Sequence, residues 1–255
     1  MRAPRVLAAL GVAAAPILLS APAHADTVEF QLNEINGSGA TAGAVITTNA
    51  DGSMTVRING SGFTPNSPHA QHLHGGVSGN FFCPPASRDK NGDGQVSTEE
   101  GVPDYGGIML SLTTKGDASA DSGLAGDRMP IADAQGNLSY ERTIPAAMIP
   151  EGITANVKDL HVVQHGLDAD GNGKYDLEAL GESVFAKSLG VAGIPEEATN
   201  PATCGEVVPT GTIDMGGTST DGTEALPALA LGGAALLGAA GLAAGRRRLL
   251  SRVDA

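Results

Sequence analysis

The feature that most constrains the fold is an alternation of apolar and polar residues typical of β-strands, with almost no helical periodicity after residue 25. Clusters of Gly, Asn, Asp and Pro separate the alternating segments, and these residues favour turns. The segments are residues 27–35, 42–48, 53–59, 71–74, 107–114, 138–143, 159–165 and 205–213. The sequence therefore predicts an all-β fold, an antiparallel Greek-key sandwich or barrel of about eight strands with long loops.

Three irregular stretches interrupt these segments, at residues 81–105, 115–134 and 166–203. Loops of this length within a compact domain are usually either functional or disordered. The first and third contain acidic motifs, so we expect them to carry metal-binding sites.

The N-terminal residues have the pattern of a secretory signal peptide. Arg2 and Arg5 precede an apolar run, and Ala23-His24-Ala25 provides small residues at a cleavage site. We therefore expect a signal peptide at 1–25, followed by a β domain at 26–213.

The C-terminal residues have the pattern of a membrane anchor. Residues 226–245 are uncharged and, at about 1.5 Å per residue, long enough to cross a bilayer core. A basic tail at 246–255, which is rich in Arg, follows this stretch and predicts a cytoplasmic C-terminus. We expect a flexible stalk at 214–225, a transmembrane helix at 226–245, and anchoring at the bacterial cell surface.

The region between the two ends is strongly acidic. Residues 26–225 contain 27 acidic and nine basic residues, a net charge of −18, against −13 for the whole chain. This charge argues against nucleic acid as a partner and favours cations. The sequence indicates no particular protein partner.

The chain has two cysteines, Cys83 and Cys204. In an exported domain an even number of cysteines indicates disulfide bonding, so we expect a Cys83–Cys204 disulfide. Two free thiols are the alternative.

Residues 89–100 match a twelve-residue calcium loop. Such a loop provides oxygen ligands at positions 1, 3, 5, 7, 9 and 12, with Gly at position 6. The residues at the ligand positions are Asp89, Asn91, Asp93, Gln95, Ser97 and Glu100. Pro84, Pro85 and Pro103 flank the loop, so we expect no long helix on either side and predict a structural calcium site.

A second acidic stretch, residues 168–176, repeats part of this pattern. The candidate ligands are Asp168, Asp170, Asn172, Lys174 (through its carbonyl) and Asp176. Position 12 is Ala179, so the bidentate ligand is missing unless Glu178 or Glu182 replaces it. Calcium binding and a turn rich in Asp and Asn both remain open here.

Four histidines fall on two predicted strands. His72 and His74 are two residues apart and His161 and His165 four apart, so each pair shares one face of its strand. Imidazole is a suitable ligand for copper, so four histidines on two strands predict a copper site. The alternative is that these histidines are half-buried strand residues bonded to the backbone.

The order of these residues resembles the copper/zinc superoxide dismutase family. The segments concerned are Gln71-His72-Leu73-His74-Gly75-Gly76, Cys83, residues 160–168 and Ala202-Thr203-Cys204-Gly205-Glu206-Val207. The resemblance implies that His72 and His74 are paired copper ligands, that His165 is a later one with His161 or His69 as a fourth, and that Cys83 pairs with Cys204. The His-x-His-Gly and Gly-Glu-Val segments also resemble the chordin-type (CHRD) domain.

The sequence departs from the dismutase pattern in two respects. It has no His between His74 and His161, so the zinc ligands are absent and no zinc is expected. It has no Lys or Arg between Ser188 and Gly245, so the Arg that guides superoxide to copper has no counterpart.

Three functions remain open on the sequence. The first is a superoxide dismutase-like domain that binds calcium and copper with little or no turnover. The second is a copper-only superoxide dismutase, an oxidoreductase. The third is a surface adhesion or matrix domain with structural calcium only.

Overall fold

The structure is a computed structural model, and it describes residues 26–76 and 79–208. Within them, eight strands form one antiparallel sheet in the order β5-β4-β7-β8-β1-β2-β3-β6. The strands are β1 Asp26–Glu34, β2 Thr41–Thr48, β3 Met54–Ser61, β4 Gln71–Gly75, β5 Gly107–Ser111, β6 Leu138–Ile144, β7 His161–His165 and β8 Pro201–Val208. The prediction of an all-β antiparallel fold with about eight strands is confirmed.

The sheet is curled, because strands from both of its halves contribute to one apolar core. Ile46 of β2 and Ile58 of β3 are fully buried in the same cluster as Leu73 of β4 and Val162 of β7. In β3 the buried residues Met54, Val56 and Ile58 alternate with more exposed ones, as expected for a strand with one face on the core.

Strands β4 and β7 are buried at every residue. One face of each packs on the apolar core, through Leu73 and Val162. Loops and short helices cover the other face, which carries the predicted histidine ligands. A strand buried on both faces cannot be solvated on its polar side, so these histidines need partners within the protein.

Several predicted strand boundaries differ from the structure, and three of these differences concern strands next to the histidines. β8 begins at Pro201 rather than at residue 205, because proline is tolerated as the first residue of a strand. β5 ends at Ser111 rather than at residue 114. β7 begins at His161 rather than at residue 159, since Val157–Asp159 forms a 3₁₀ turn.

The α-helices within the described residues are short. They are α1 Thr98–Tyr105, α2 Ile153–Asn156, α3 Val184–Ser188 and α4 Glu196–Thr199. Helix α1 starts at a capping box, in which Ser97 and Glu100 bond reciprocally to each other's backbone N–H groups. It continues through Pro103 to Tyr105, with Gly106 as its C-cap, so proline does not prevent a helix of eight residues here.

A disulfide joins Cys83 and Cys204, as the sequence predicts. Cys204 packs with Tyr105 of α1 and Val163 of β7 on the outer face of the sheet. The disulfide therefore fixes the loop that contains α1 beside the strand that carries His165.

No helix in the described part of the chain is long and apolar enough to cross a membrane. The predicted signal peptide at 1–25, the stalk at 214–225, the span at 226–245 and the tail at 246–255 lie outside the described residues.

Candidate metal centre

His72, His74 and His165 converge on the outer face of β4 and β7. Each offers a ring nitrogen, and the three nitrogens lie within 4.8 Å of one another. All three side chains are buried. The strand pairing shifts register directly before His74, between β4 and β5, and directly before His165, between β7 and β8. The extra residues at these two irregularities, Met109 and Ala202, lie in the neighbouring strands β5 and β8, opposite residues of the cluster.

Each of the three rings is held by one backbone carbonyl. Nε2 of His72 lies 3.1 Å from the Gly123 oxygen, Nδ1 of His74 lies 2.9 Å from the Gly106 oxygen, and Nδ1 of His165 lies 2.6 Å from the Thr199 oxygen. A carbonyl oxygen only accepts, so the nitrogen that faces it must carry the hydrogen. In a neutral ring, the other nitrogen then has a free lone pair.

These free lone pairs face one another without a donor between them. Nδ1 of His72 and Nε2 of His74 are 3.4 Å apart, a distance that would suit a hydrogen bond if either nitrogen carried a hydrogen. Both rings already donate from their other nitrogen, so in neutral rings both atoms here are acceptors. Nε2 of His165 is also buried with no hydrogen-bond partner. Three acceptors without a donor are the arrangement that a bound cation satisfies.

The surroundings keep the three imidazoles neutral. Burial and the neighbouring rings of His165 and His74 hold the pKa of His72 well below its usual value. Burial lowers the pKa of His74 to about 3, with a contribution from His165, and lowers the pKa of His165 to about 4. Neutral imidazole is the form that binds metal, so the ligands are ready at physiological pH.

Gly106 is a position that requires glycine. Its φ is +83°, and a Cβ there would lie 2.4 Å from the Gly75 carbonyl oxygen. This close approach to the end of β4 brings the Gly106 carbonyl to His74. The glycine is therefore part of the support of the centre.

The structure does not bring His161 or His69 into the cluster. Nε2 of His161 lies 3.7 Å from a carboxylate oxygen of Glu206, and its Nδ1 is buried without a partner. Four residues of strand span about 13 Å, so His161 and His165 cannot reach one point although they share a face. His69 is buried elsewhere, with its ring nitrogens facing the carbonyls of Thr64 and His165 and the hydroxyl of Tyr175.

A pocket of about 570 Å³ opens over the three histidines. Its walls are mainly apolar and come from α1, β5, α3 and the loops that follow β5 and α3. The centre is therefore reachable by a small molecule although its histidines are buried.

The first acidic loop is held by its own backbone amides. Asp89 accepts hydrogen bonds from the N–H groups of Gly92 and Gly94, and Asp93 accepts one from Gln95. Glu100 accepts from the N–H groups of Lys90, Asn91 and Ser97. Burial works against the charged form of Glu100, but these hydrogen bonds outweigh it and lower its pKa.

The sequence pattern did not assign two further carboxylates at this loop, Glu99 within it and Glu196 from α4. Both carboxylate oxygens of Glu99, and Oε1 of Glu196 in α4, are buried without a hydrogen-bond partner. Burial, then the charges of Glu99 and Asp93 among other influences, raise the pKa of Glu196. Carboxylates that lie close enough to Glu196 to raise its pKa are partners that calcium would stabilise together with it.

A carboxylate from a distant part of the chain lies close to the second acidic loop. Asp168, Asp170 and Glu197 offer carboxylate oxygens within 4.8 Å of one another. Glu197 lies in α4, is fully buried, and accepts hydrogen bonds from the N–H groups of Ala169 and Asp176. Glu197, rather than Glu178 or Glu182, thus brings a further carboxylate close to Asp168 and Asp170.

The other residues of the second loop bond to each other or to neighbours. Asn172 donates to Asp170 and Asp176, and Lys174 forms an ion pair with Asp176 at 3.0 Å. Glu182 is paired with Lys187 at 3.1 Å and accepts from the N–H of Gly193.

No family model matches this chain, and no curated protein matches it in sequence.

Proposed function

We propose that this chain is an exported domain, similar to superoxide dismutases and anchored at the cell surface, on a Greek-key β-barrel or sandwich. Its three-histidine centre binds copper and its two acidic loops bind calcium, with little or no turnover. The segments at 1–25 and 226–245 support the export and the anchor.

The observation that carries the proposal is the set of three inward lone pairs. Each of His72, His74 and His165 is fixed by a carbonyl on one nitrogen and has its other nitrogen free of any donor. One buried nitrogen without a partner, as in His161, needs no metal, whereas three lone pairs within 4.8 Å of one another are an arrangement that a cation satisfies. A hydrogen bond behind each ligand is the usual support of a metal-bound imidazole.

The general order in which nitrogen ligands bind divalent metals favours copper over zinc at this centre. Three imidazoles and one open position also suit zinc, but nitrogen sites bind Cu(II) more tightly than Zn(II). Imidazole stabilises both oxidation states of copper, so redox chemistry is what the metal would provide at this centre.

Two features support calcium in the acidic loops. Glu99 and Glu196 bring unpartnered carboxylate oxygens to the side of the first loop, and Glu197 brings a buried carboxylate to the second. Calcium requires six to eight oxygen ligands, and α4 provides carboxylates that neither loop provides alone.

Slow turnover is expected from the charges around the pocket. Among the described residues, Asp121 is the only charged side chain that lines the pocket, because the histidines that line it are neutral. The net charge of −18 over residues 26–225 would repel a superoxide anion. The pocket nevertheless leaves the centre open, so dismutation is the second candidate.

Metal analysis of the purified full-length protein tests the proposal. We expect copper near one equivalent, retained against equimolar zinc, and lost in His72→Ala/His74→Ala. The matched control is Thr55→Ala/Thr143→Ala, a double change at a hydrogen-bonded pair of exposed residues on β3 and β6. Equal copper in the wild type and the histidine variant would refute the centre, and the adhesion function with structural calcium would then be favoured.

A superoxide consumption assay on the copper form separates the first two functions. We expect a rate far below the diffusion limit, and a rate near that limit would establish a dismutase.

Protease treatment of intact cells tests the location, since a surface-anchored domain should be removed while the cells remain intact.

A further inference from the structure

We infer that the pocket over the three histidines is a binding site for an uncharged, mainly apolar organic molecule that directs one nitrogen or oxygen donor atom at the centre. The contact of that donor with copper rests on the proposed function. The apolar part of the site does not depend on it.

The shape and lining of the pocket support a small-molecule ligand. The floor consists of His72, His74 and His165, and the walls include Ile108, Leu124 and Phe185. A volume of about 570 Å³ is within the range of small-molecule sites, roughly 300–1,000 Å³, and far exceeds the space that a diatomic substrate needs. Apolar walls with a few convergent polar groups are the usual composition of such sites.

The charges exclude an anionic ligand. Among the described residues, neither Lys nor Arg lines the pocket, and Asp121 is exposed at its edge. Apart from the metal, an anion would find no positive partner in this pocket, and burying its charge against apolar walls is costly. A neutral ligand avoids this cost and gains from the burial of its apolar surface.

The loop around α3 adds apolar surface on one side of the pocket. Leu189 is 60% exposed and Val191 is 38% exposed, and both line the pocket together with Phe185. Exposed apolar side chains that border an apolar cavity indicate a surface that a ligand covers.

The experiment compares 4-phenylimidazole with imidazole, which has the same donor group without the apolar ring. Both are titrated into the copper-loaded full-length protein, and binding is followed by the Cu(II) absorption and electron paramagnetic resonance spectra. We expect 4-phenylimidazole to bind at least tenfold more tightly than imidazole. Similar affinities for the two compounds would overturn the inference.

Variants of the pocket wall test where the phenyl ring binds. Leu189→Ser and Phe185→Ala should each reduce the preference for 4-phenylimidazole at least threefold without changing the copper content. The control is Leu177→Ser, because Leu177 is 52% exposed and does not line the pocket. A preference that both wall variants retain would place the phenyl ring elsewhere and overturn the inference.

A protein that holds no copper would refute the proposed function and leave the pocket to be tested in its metal-free form. Saturation-transfer nuclear magnetic resonance then measures contact between the protein and the phenyl ring of 4-phenylimidazole. Contact that weakens in Leu189→Ser supports the pocket as an apolar binding site. Absence of contact, or contact unchanged in that variant, overturns it.

Discussion

The main-chain carbonyl of Thr199 accepts hydrogen bonds from Nδ1 of His165, at 2.6 Å, and from the hydroxyl of Thr98, at 2.5 Å. Thr98 is the first residue of α1, within the first acidic loop, and Thr199 ends α4. Glu197, two residues earlier in α4, holds the second acidic loop. Both predicted calcium loops therefore contact α4. The carbonyl at the end of this helix orients His165, one of the predicted copper ligands.

This relationship predicts that calcium strengthens copper binding. Calcium in the two loops should restrict α1 and α4, and with them the carbonyl that fixes His165. Coupling free energies between sites are typically about 1–3 kcal/mol, so we expect a roughly fivefold or greater gain in copper affinity when calcium is added. Competition titrations with a copper chelator, in saturating and in absent calcium, measure it.

Thr98→Val tests the path of this coupling. The change keeps the shape of a buried side chain and removes the hydroxyl that bonds Thr199. We expect the calcium effect on copper affinity to shrink in this variant and to persist in Thr143→Val, an exposed control on β6. Equal calcium effects in Thr98→Val and the wild type would exclude this hydrogen bond as the connection.

The two histidines of β7 should differ sharply in their effect on copper. His165→Gln removes a ligand of the cluster and should weaken copper binding by roughly 100-fold or more, since loss of a hydrogen bond behind a ligand alone costs about 10- to 100-fold. His161→Gln should leave the affinity within a fewfold of the wild type, because His161 faces Glu206 instead. A large loss in His161→Gln would make His161 a fourth ligand, as the sequence allowed.

Glu197→Gln should reduce the stabilisation that calcium gives to the fold. A ligand at 100 times its dissociation constant stabilises a folded protein by about 2.7 kcal/mol, so calcium should raise the melting temperature measurably. We expect Glu197→Gln to lose part of this rise, and the further change Asp89→Ala/Glu100→Ala to remove most of what remains. The readout is the difference between calcium and chelator for each variant, which separates ion binding from any loss of packing at the buried Glu197.

The control for this measurement is Glu178→Gln, which changes an exposed carboxylate of the same loop region. It should keep the calcium effect. If the calcium effect on the melting temperature disappears in Glu178→Gln and persists in Glu197→Gln, the missing ligand is Glu178, as the sequence suggested, and not Glu197.

The metal-free protein should lose stability as the pH falls from about 6.5 to 5. Burial lowers the pKa values of His72, His74 and His165 below the ordinary value of 6.5, so in this window the unfolded chain binds protons that the folded chain does not. Each histidine then removes at most about 1.4 kcal/mol of unfolding free energy per pH unit. Urea unfolding in the presence of a chelator measures the slope.

A variant with all three histidines changed to Gln should show a flatter slope over the same range, and the remaining slope should come from His69 and His161, whose pKa values burial also lowers. Glu196, whose pKa burial raises, is present in both proteins and does not affect the difference between their slopes. Identical slopes in the variant and the wild type would mean that these imidazoles are not held neutral by burial.

The sequence predicted the parts of the site that depend on local periodicity. His72 and His74 are two residues apart, and a strand places such residues on one face. The hairpin between β2 and β3 follows from residues 49–52, where Gly52 has a φ of +80° and donates to the Asn49 carbonyl. Local rules were sufficient at these positions.

The parts that the sequence did not predict depend on contacts between distant segments. Glu197 is separated from Asp168 by a loop and α3, so no spacing rule connects them. The carbonyls of Gly106, Gly123 and Thr199 belong to the backbone, and residue type says nothing about where a carbonyl points. His161 was grouped with His165 because they share a face, but position along the strand separates them.

The three rings of the centre are not equivalent. His72 donates from Nε2, whereas His74 and His165 donate from Nδ1. In the metal-free protein labelled with nitrogen-15, His72 should therefore give the resonance pattern of one imidazole tautomer and the other two rings the pattern of the opposite one. This two-to-one asymmetry is a spectroscopic signature that the backbone imposes before any metal binds, and it distinguishes His72 from the other two rings.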